Sequence, residues 1–144
     1  ISPQGTLSGN EKQSADVQTW GQTAGYCDYL LPQLYFGFQN STAPFAETAA
    51  FWAEQVTCPD VSLWIGICTY KIGQQDTWAG DGMTEWQTDS QVVSKELELL
   101  CNMDGIDGAA IYDYASTFQP ESSVSEILSS ERDAIQVLLQ TPAN

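Results

Sequence analysis

The chain of 144 residues contains no histidine. That removes the Ser-His-Asp and Cys-His nucleophile systems and the usual histidine-bearing zinc sites. Cations are scarce as well: Lys and Arg number 4 against 19 Asp and Glu, a formal net charge of −15. Nucleic-acid binding rests on basic groups that neutralise phosphates, and a membrane-surface helix needs a basic face, so neither partner fits this balance. No apolar run approaches the ~20 residues of a spanning helix. The opening residues, ISPQG, lack the charged and apolar pattern of a secretory leader, which leaves the compartment open. The four cysteines, Cys27, Cys58, Cys68 and Cys101, include no C-x-x-C pair, against a zinc or thioredoxin-like reading. They are expected to be small buried hydrophobes rather than a disulfide framework. No metal and no cofactor is expected.

The hydrophobic fraction of 42% is enough for a core. The chain is organised around DYLLPQLYFGF, Asp28 to Phe38, which is apolar and aromatic and bounded by turn residues from Gly37 to Thr42. Pro32 excludes a helix there, so a buried strand is expected from about Tyr29 to Phe36. A second strand is expected over Ser62 to Tyr70 and a third over Gly108 to Tyr112. Helical spacing of apolar residues predicts helices from about Asn10 or Glu11 to Ala24, with Asn10 as a candidate cap, and from Pro44 to Val56. Two more are predicted over Thr84 to Asn102, opened by a Thr84–Gln87 capping box, and over Val124 to Gln140. Lys71 to Thr84 is a long glycine-rich loop carrying Trp78, and Ser116 to Ser125 a polar loop.

A helix followed by three strand–helix pairs means an α/β fold with a parallel sheet and right-handed crossovers. Residues 1–144 are expected to form one domain or part of one, and a start on a loop and helix reads as mid-fold. Parallel strands exit at one end, so Tyr35, Tyr70 and Tyr112 are expected near that end, with Asp28 and Asp107 at the other.

Several segments together resemble the C-terminal half of the glycosyl hydrolase-like 10 family of bacterial (β/α)8-barrel proteins. They are ISPQG, DYLLPQLYFGF with the following APF and FWAEQV, then IGICTYKIG, EWQTDSQV and DGIDGAAIYDYAS. The resemblance implies a partial TIM barrel, about its last half: ISPQG as the exit of the fifth strand and the three expected strands as the sixth to eighth. It implies a glycoside hydrolase acting on bacterial cell-wall or related glycan, with an extracellular or cell-envelope location for the parent. The fourth strand, where such barrels very often keep an acid/base carboxylate, would lie outside this chain.

Glycoside hydrolysis normally needs two carboxyl groups flanking the bond. Under the resemblance Asp113, directly after the third strand, is the best-placed catalytic candidate, followed by Asp76 and Asp81 in the long loop. A solvated loop acid is the competing reading for each. Gln33, Tyr35, Tyr70, Lys71, Trp78 and Tyr112 are candidate substrate contacts, because strand exits converge on a barrel's pocket and aromatic faces stack on sugars. For the tyrosines the alternative is barrel filling, and for Trp78 a pin that holds the loop down. Gln33→Ala and Lys71→Ala in a full-length parent are expected to impair binding more than folding. Two functions stay open: part of a carbohydrate-cleaving enzyme, or a non-catalytic carbohydrate-binding or structural half-barrel. The partners expected are a glycan and, across the open strand edges, a second copy of the chain or the N-terminal half of a parent barrel.

Overall fold

A computed structural model describes residues 1–140. At its centre is a small parallel sheet of three strands in the order β1 (Tyr29–Leu30), β2 (Ser62–Cys68) and β3 (Gly108–Tyr112). β1 runs beside β2 with Leu30 opposite Leu63, and β2 beside β3 from Trp64–Gly108 to Cys68–Tyr112. β1 is shorter than expected. Its ladder stops at Leu31 and Pro32, where proline has no N–H to give, and resumes as a single bridge at Gln33, which pairs with both Gly66 and Gln4. On the outer side of β1 the first residues run parallel to it: Leu31 donates its N–H to the Ile1 carbonyl at 2.7 Å and Gln33 to that of Pro3 at 3.0 Å. β2 ends two residues earlier than expected, at Cys68.

The helices α3 (Phe45–Gln55) and α5 (Val92–Cys101) pack against the sheet, and α7 (Ser125–Gln140) packs on α5. Alternation along β2 sends Leu63, Ile65 and Ile67 into this layer with Phe45, Ala49, Trp52, Val92, Val93 and Leu128, all buried. Trp52 also donates its indole N–H to the Gly5 carbonyl at 2.8 Å, fixing the N-terminal segment to α3.

Two expected helices are each divided. The first becomes α1 (Leu7–Lys12) and α2 (Val17–Gln22), capped by the side chains of Thr6 and Asp16. Asn10 is no cap: its buried side chain accepts from the Gln4 N–H and donates to the Gln4 and Thr6 carbonyls. The chain then turns through Ser14 at φ 56°. The third becomes α4 (Glu85–Thr88) and α5, separated at Asp89, whose carboxylate takes the Gln91 N–H and pairs with Lys95. The Thr84–Gln87 capping box does not form, since Thr84 makes no side-chain cap bond. An additional helix, α6 (Tyr114–Phe118), occupies the start of the expected polar loop and carries a capping box between Asp113 and Ser116. All four cysteines are free thiols. Cys58 and Cys68 are buried as expected, while Cys27 is half-buried and Cys101, at the end of α5, is exposed.

Candidate functional site

The parallel register sets the geography of the chemistry. Asp107 sits at the entry end of the sheet, where its carboxylate accepts from the Ser62 hydroxyl at 2.7 Å and the Leu63 N–H at 3.0 Å. Asp28 lies at the same end, its carbonyl bonded to the Ser62 N–H. At the opposite end Tyr35, Tyr70 and Tyr112 meet in one cluster. Tyr35 stacks on Tyr112 at 5.8 Å, and Tyr70 stands edge-on to both at 5.9 and 6.1 Å. The tyrosines are thus at the strand exits and the two aspartates at the entries, as the parallel reading requires. Within this chain Tyr70 and Tyr112 are 43% and 53% exposed. Burial, together with the neighbouring Cys68, pushes the Tyr70 hydroxyl up to about 12 and raises Tyr35 as well. Both therefore remain hydrogen-bond donors at neutral pH.

Beside the cluster opens a cleft of about 600 Å³, lined by Gln4, Gly5, Thr6, Gln33, Tyr35, Phe36, Asn40, Thr42, Ala43, Lys71, Asp76 and Trp78. Its wall is tied together by Lys71. The ammonium donates to the Tyr35 carbonyl at 2.7 Å and to the Asp76 carboxylate at 2.6 Å, with the two side chains only 19% and 4% exposed. An ammonium has three protons, and the third is uncommitted among the described residues. The other Asp76 oxygen accepts the Trp78 N–H at 3.2 Å. The chain Tyr35–Lys71–Asp76–Trp78 thus holds the long loop against the strand exits. The loop is further pinned where Ser41 donates its N–H to the Ala79 carbonyl at 3.0 Å. The Trp78 ring is 88% exposed, which rules out the pin reading and leaves a free aromatic face at the cleft rim. Gln33 directs its amide N–H to the Ser2 carbonyl and hydroxyl at 3.1 and 3.2 Å, fixing the strand exit to the first residues.

Asp113 does not line this cleft. It follows Tyr112 through a cis peptide and caps α6, accepting the Ser116 N–H and hydroxyl at 2.8 Å each. Those bonds hold its carboxyl below the usual range. A carboxylate so held is an acceptor, suited to the role of base or nucleophile and not to that of an acid at neutral pH. Asp81 is exposed in a short 3-10 turn over Gly80–Gly82, away from the cleft lining. Asp76 is the one acid that lines the cleft among the described residues, and Lys71 neutralises it. Asn40 and Thr42 were missed by sequence reading, which saw only turn residues there. The Asn40 side chain accepts the N–H groups of Thr42 and Ala43 at 2.9 Å each and shapes the bend. Among the described residues no cluster of three or more His, Cys, Asp or Glu could hold a metal ion, and no helix is long and apolar enough to cross a membrane.

Aromatic rings, amides and one held ammonium, converging at the exit end of a parallel sheet, make a site for a polar ligand with flat faces. The family model described as glycosyl hydrolase-like 10 matches residues 1–80. Curated relatives include the glycosyl hydrolase DigH of Escherichia coli K12, of Escherichia coli O6:H1 strain CFT073 and of Shigella flexneri. Each is 30% identical over 123 residues, covering 83% of this chain and 27% of the relative. The chain belongs to the glycosyl hydrolase-like 10 family. It spans about a quarter of the length of the curated relatives it matches.

Proposed function

We propose that this chain forms the substrate-side wall of a carbohydrate-cleaving (β/α)8 barrel that acts on bacterial cell-wall or related glycan. In this reading β1 to β3 are the last three barrel strands and residues 1–4 the end of the strand before them. The run of residues 1–4 alongside β1 supports that order. The observation that carries the proposal is the Lys71-centred cleft with its free Trp78 face beside the exposed tyrosine cluster. Trp78, Tyr35, Tyr70 and Tyr112 supply stacking faces, while the Gln33 side-chain oxygen supplies an acceptor and the third Lys71 proton a donor. In a complete barrel Asp113 is the carboxylate of this half, acting as base or nucleophile, and the general acid comes from elsewhere. The neutralised Asp76 and the capping role of Asp113 favour binding without turnover by this chain alone.

The test is calorimetric titration of the 144-residue chain with N-acetylglucosamine oligomers, alongside a reducing-end assay. Binding without turnover is expected. Trp78→Ala should weaken it about fivefold or more, since stacked aromatic contacts contribute ~1 kcal/mol beyond buried area. Gln33→Ala should weaken it several-fold, and Trp78→Ala should melt within a degree or two of the parent chain. Unchanged affinity in both would sink the assignment of this cleft.

The free side of β3 is the second element of the proposal. Among the described residues β3 pairs only with β2, and its Ile111 and Tyr112 are exposed. An unpaired strand edge templates further pairing, so a second copy of the chain, or the remainder of a parent barrel, closes it. The charge of −15 opposes self-association most strongly at low salt. Light scattering after size exclusion should show a dimer whose fraction grows with salt. A cooperative melt from a monomer at both low and moderate salt would show that the edges are protected within the chain.

A further inference from the structure

Across the tyrosine cluster from the Lys71 cleft lies a second hollow of about 240 Å³, formed where the exit of β2 faces α6 and the start of α7. Tyr70 lines this hollow and Tyr35 lines the cleft, and their rings are 5.9 Å apart, so one ring contact separates the two spaces. The polar wall of the second hollow is Gln74 and Gln119. Both are exposed, and neither side-chain amide has a partner among the described residues. Its backing is rigid. The Thr69 hydroxyl bonds those of Ser116 and Thr117 at 2.7 and 2.8 Å, tying the end of β2 to α6.

We propose that this hollow is a further sugar subsite, and that the ligand is a linear glycan lying over the tyrosine cluster from one space to the other. The inference rests on the reading of the Lys71 cleft as a carbohydrate site. Two mostly apolar hollows with polar groups at their walls, joined by a tyrosine cluster, fit a repeating chain of flat, hydroxylated units better than one compact ligand. Each unit offers an apolar face to a ring and polar edges to an amide. Among the described residues the only ionisable side chain lining the second hollow other than Tyr70 is Glu121, and Lys71 is already paired, so uncharged sugar units are the class accommodated. Apolar Ile72 and Leu128 close its floor and need no solvent.

The experiment is calorimetric titration of the 144-residue chain with N-acetylglucosamine oligomers from dimer to hexamer. Affinity should rise at least tenfold from dimer to hexamer, more than the few-fold gain expected from additional binding registers. The double variant Gln74→Ala with Gln119→Ala should lower hexamer affinity about tenfold and leave the dimer within twofold. Its melting temperature should be unchanged, because both side chains are exposed and unbonded. A plateau at the dimer, or a double variant that weakens dimer and hexamer alike, overturns the second subsite while the Lys71 cleft stands. Absence of binding by every oligomer overturns the cleft reading and this inference together.

Discussion

Glu96→Gln is expected to stabilise the chain at neutral pH and to flatten its dependence of stability on pH. Glu96 lies on α5 and is 0% exposed, and neither carboxylate oxygen has a hydrogen-bond partner among the described residues. Burial, and then the nearby Glu131 and Glu85 carboxylates, drive its pKa well above the usual glutamate value, with Lys71 pulling the other way. A buried carboxyl in this position is held neutral. Below the unfolded value near 4.5 both folded and unfolded chains carry the proton, so the group contributes no penalty there. As pH rises past that value the unfolded chain releases the proton and the folded chain keeps it. Stability then falls by up to about 1.4 kcal/mol per pH unit until the folded pKa is passed. Glutamine has no proton to hold. Urea denaturation at pH 5 and pH 7 should show the parent chain losing more stability than the variant over that interval. Equal losses would mean that Glu96 is ionised in the folded chain. Glu131, also raised chiefly by burial, contributes in the same direction, but it accepts the Val93 and Ser94 N–H groups at 2.9 Å each, which favour its charge.

Lys71→Ala should destabilise the chain by about 3 kcal/mol, since removing one partner of a largely buried pair leaves the other charge without compensation. Here the stranded group is Asp76, and the Tyr35 carbonyl loses its donor at the same time. The double variant Lys71→Met with Asp76→Asn should recover most of that loss. It removes both charges, keeps much of the volume and retains an acceptor for the Trp78 N–H. Both variants should lose glycan affinity, because the third ammonium proton is gone in each. Denaturant midpoints and titrations of the two variants separate these effects. A single variant as stable as its parent would show that the pair is solvated. The sequence led to the expectation that Lys71→Ala impairs binding more than folding; the Asp76 and Tyr35 contacts add a stability cost, because this exit-end lysine is also a tie within the wall.

What was readable in the sequence follows the range of the forces involved. Short apolar runs placed β2 and β3, and the strand–helix order required parallel pairing, which put Tyr35, Tyr70 and Tyr112 at one end. The scarcity of cations singled out Lys71. Its partner did not stand out, because Asp76 and Asp81 occupy the same glycine-rich loop and only the folded path brings one of them to the ammonium. Glu85 shows the same limit. Its carboxylate takes the N–H groups of Phe38 and Gln39, 47 and 46 residues away, and no local pattern announces that use. Gly37 is the matching signal on the other side: a Cβ there would collide with the Glu85 carboxylate, so the residue is small because a long-range acceptor fills the space. Asp113 and Ser116 form a capping box whose spacing was visible, yet the polar residues after it read as loop and hid α6.

The five tryptophans of the chain differ sharply in their surroundings. Trp52 and Trp86 are 1% exposed, whereas Trp78 stands 88% exposed at the mouth of the cleft. Its indole should emit to the red of the buried pair and carry most of the quenching by iodide or acrylamide. The molecule thus contains an optical probe at the mouth of the cleft. Shielding from quencher and a blue shift on saturation would report occupancy at this one point of the rim, without a label and without catalysis.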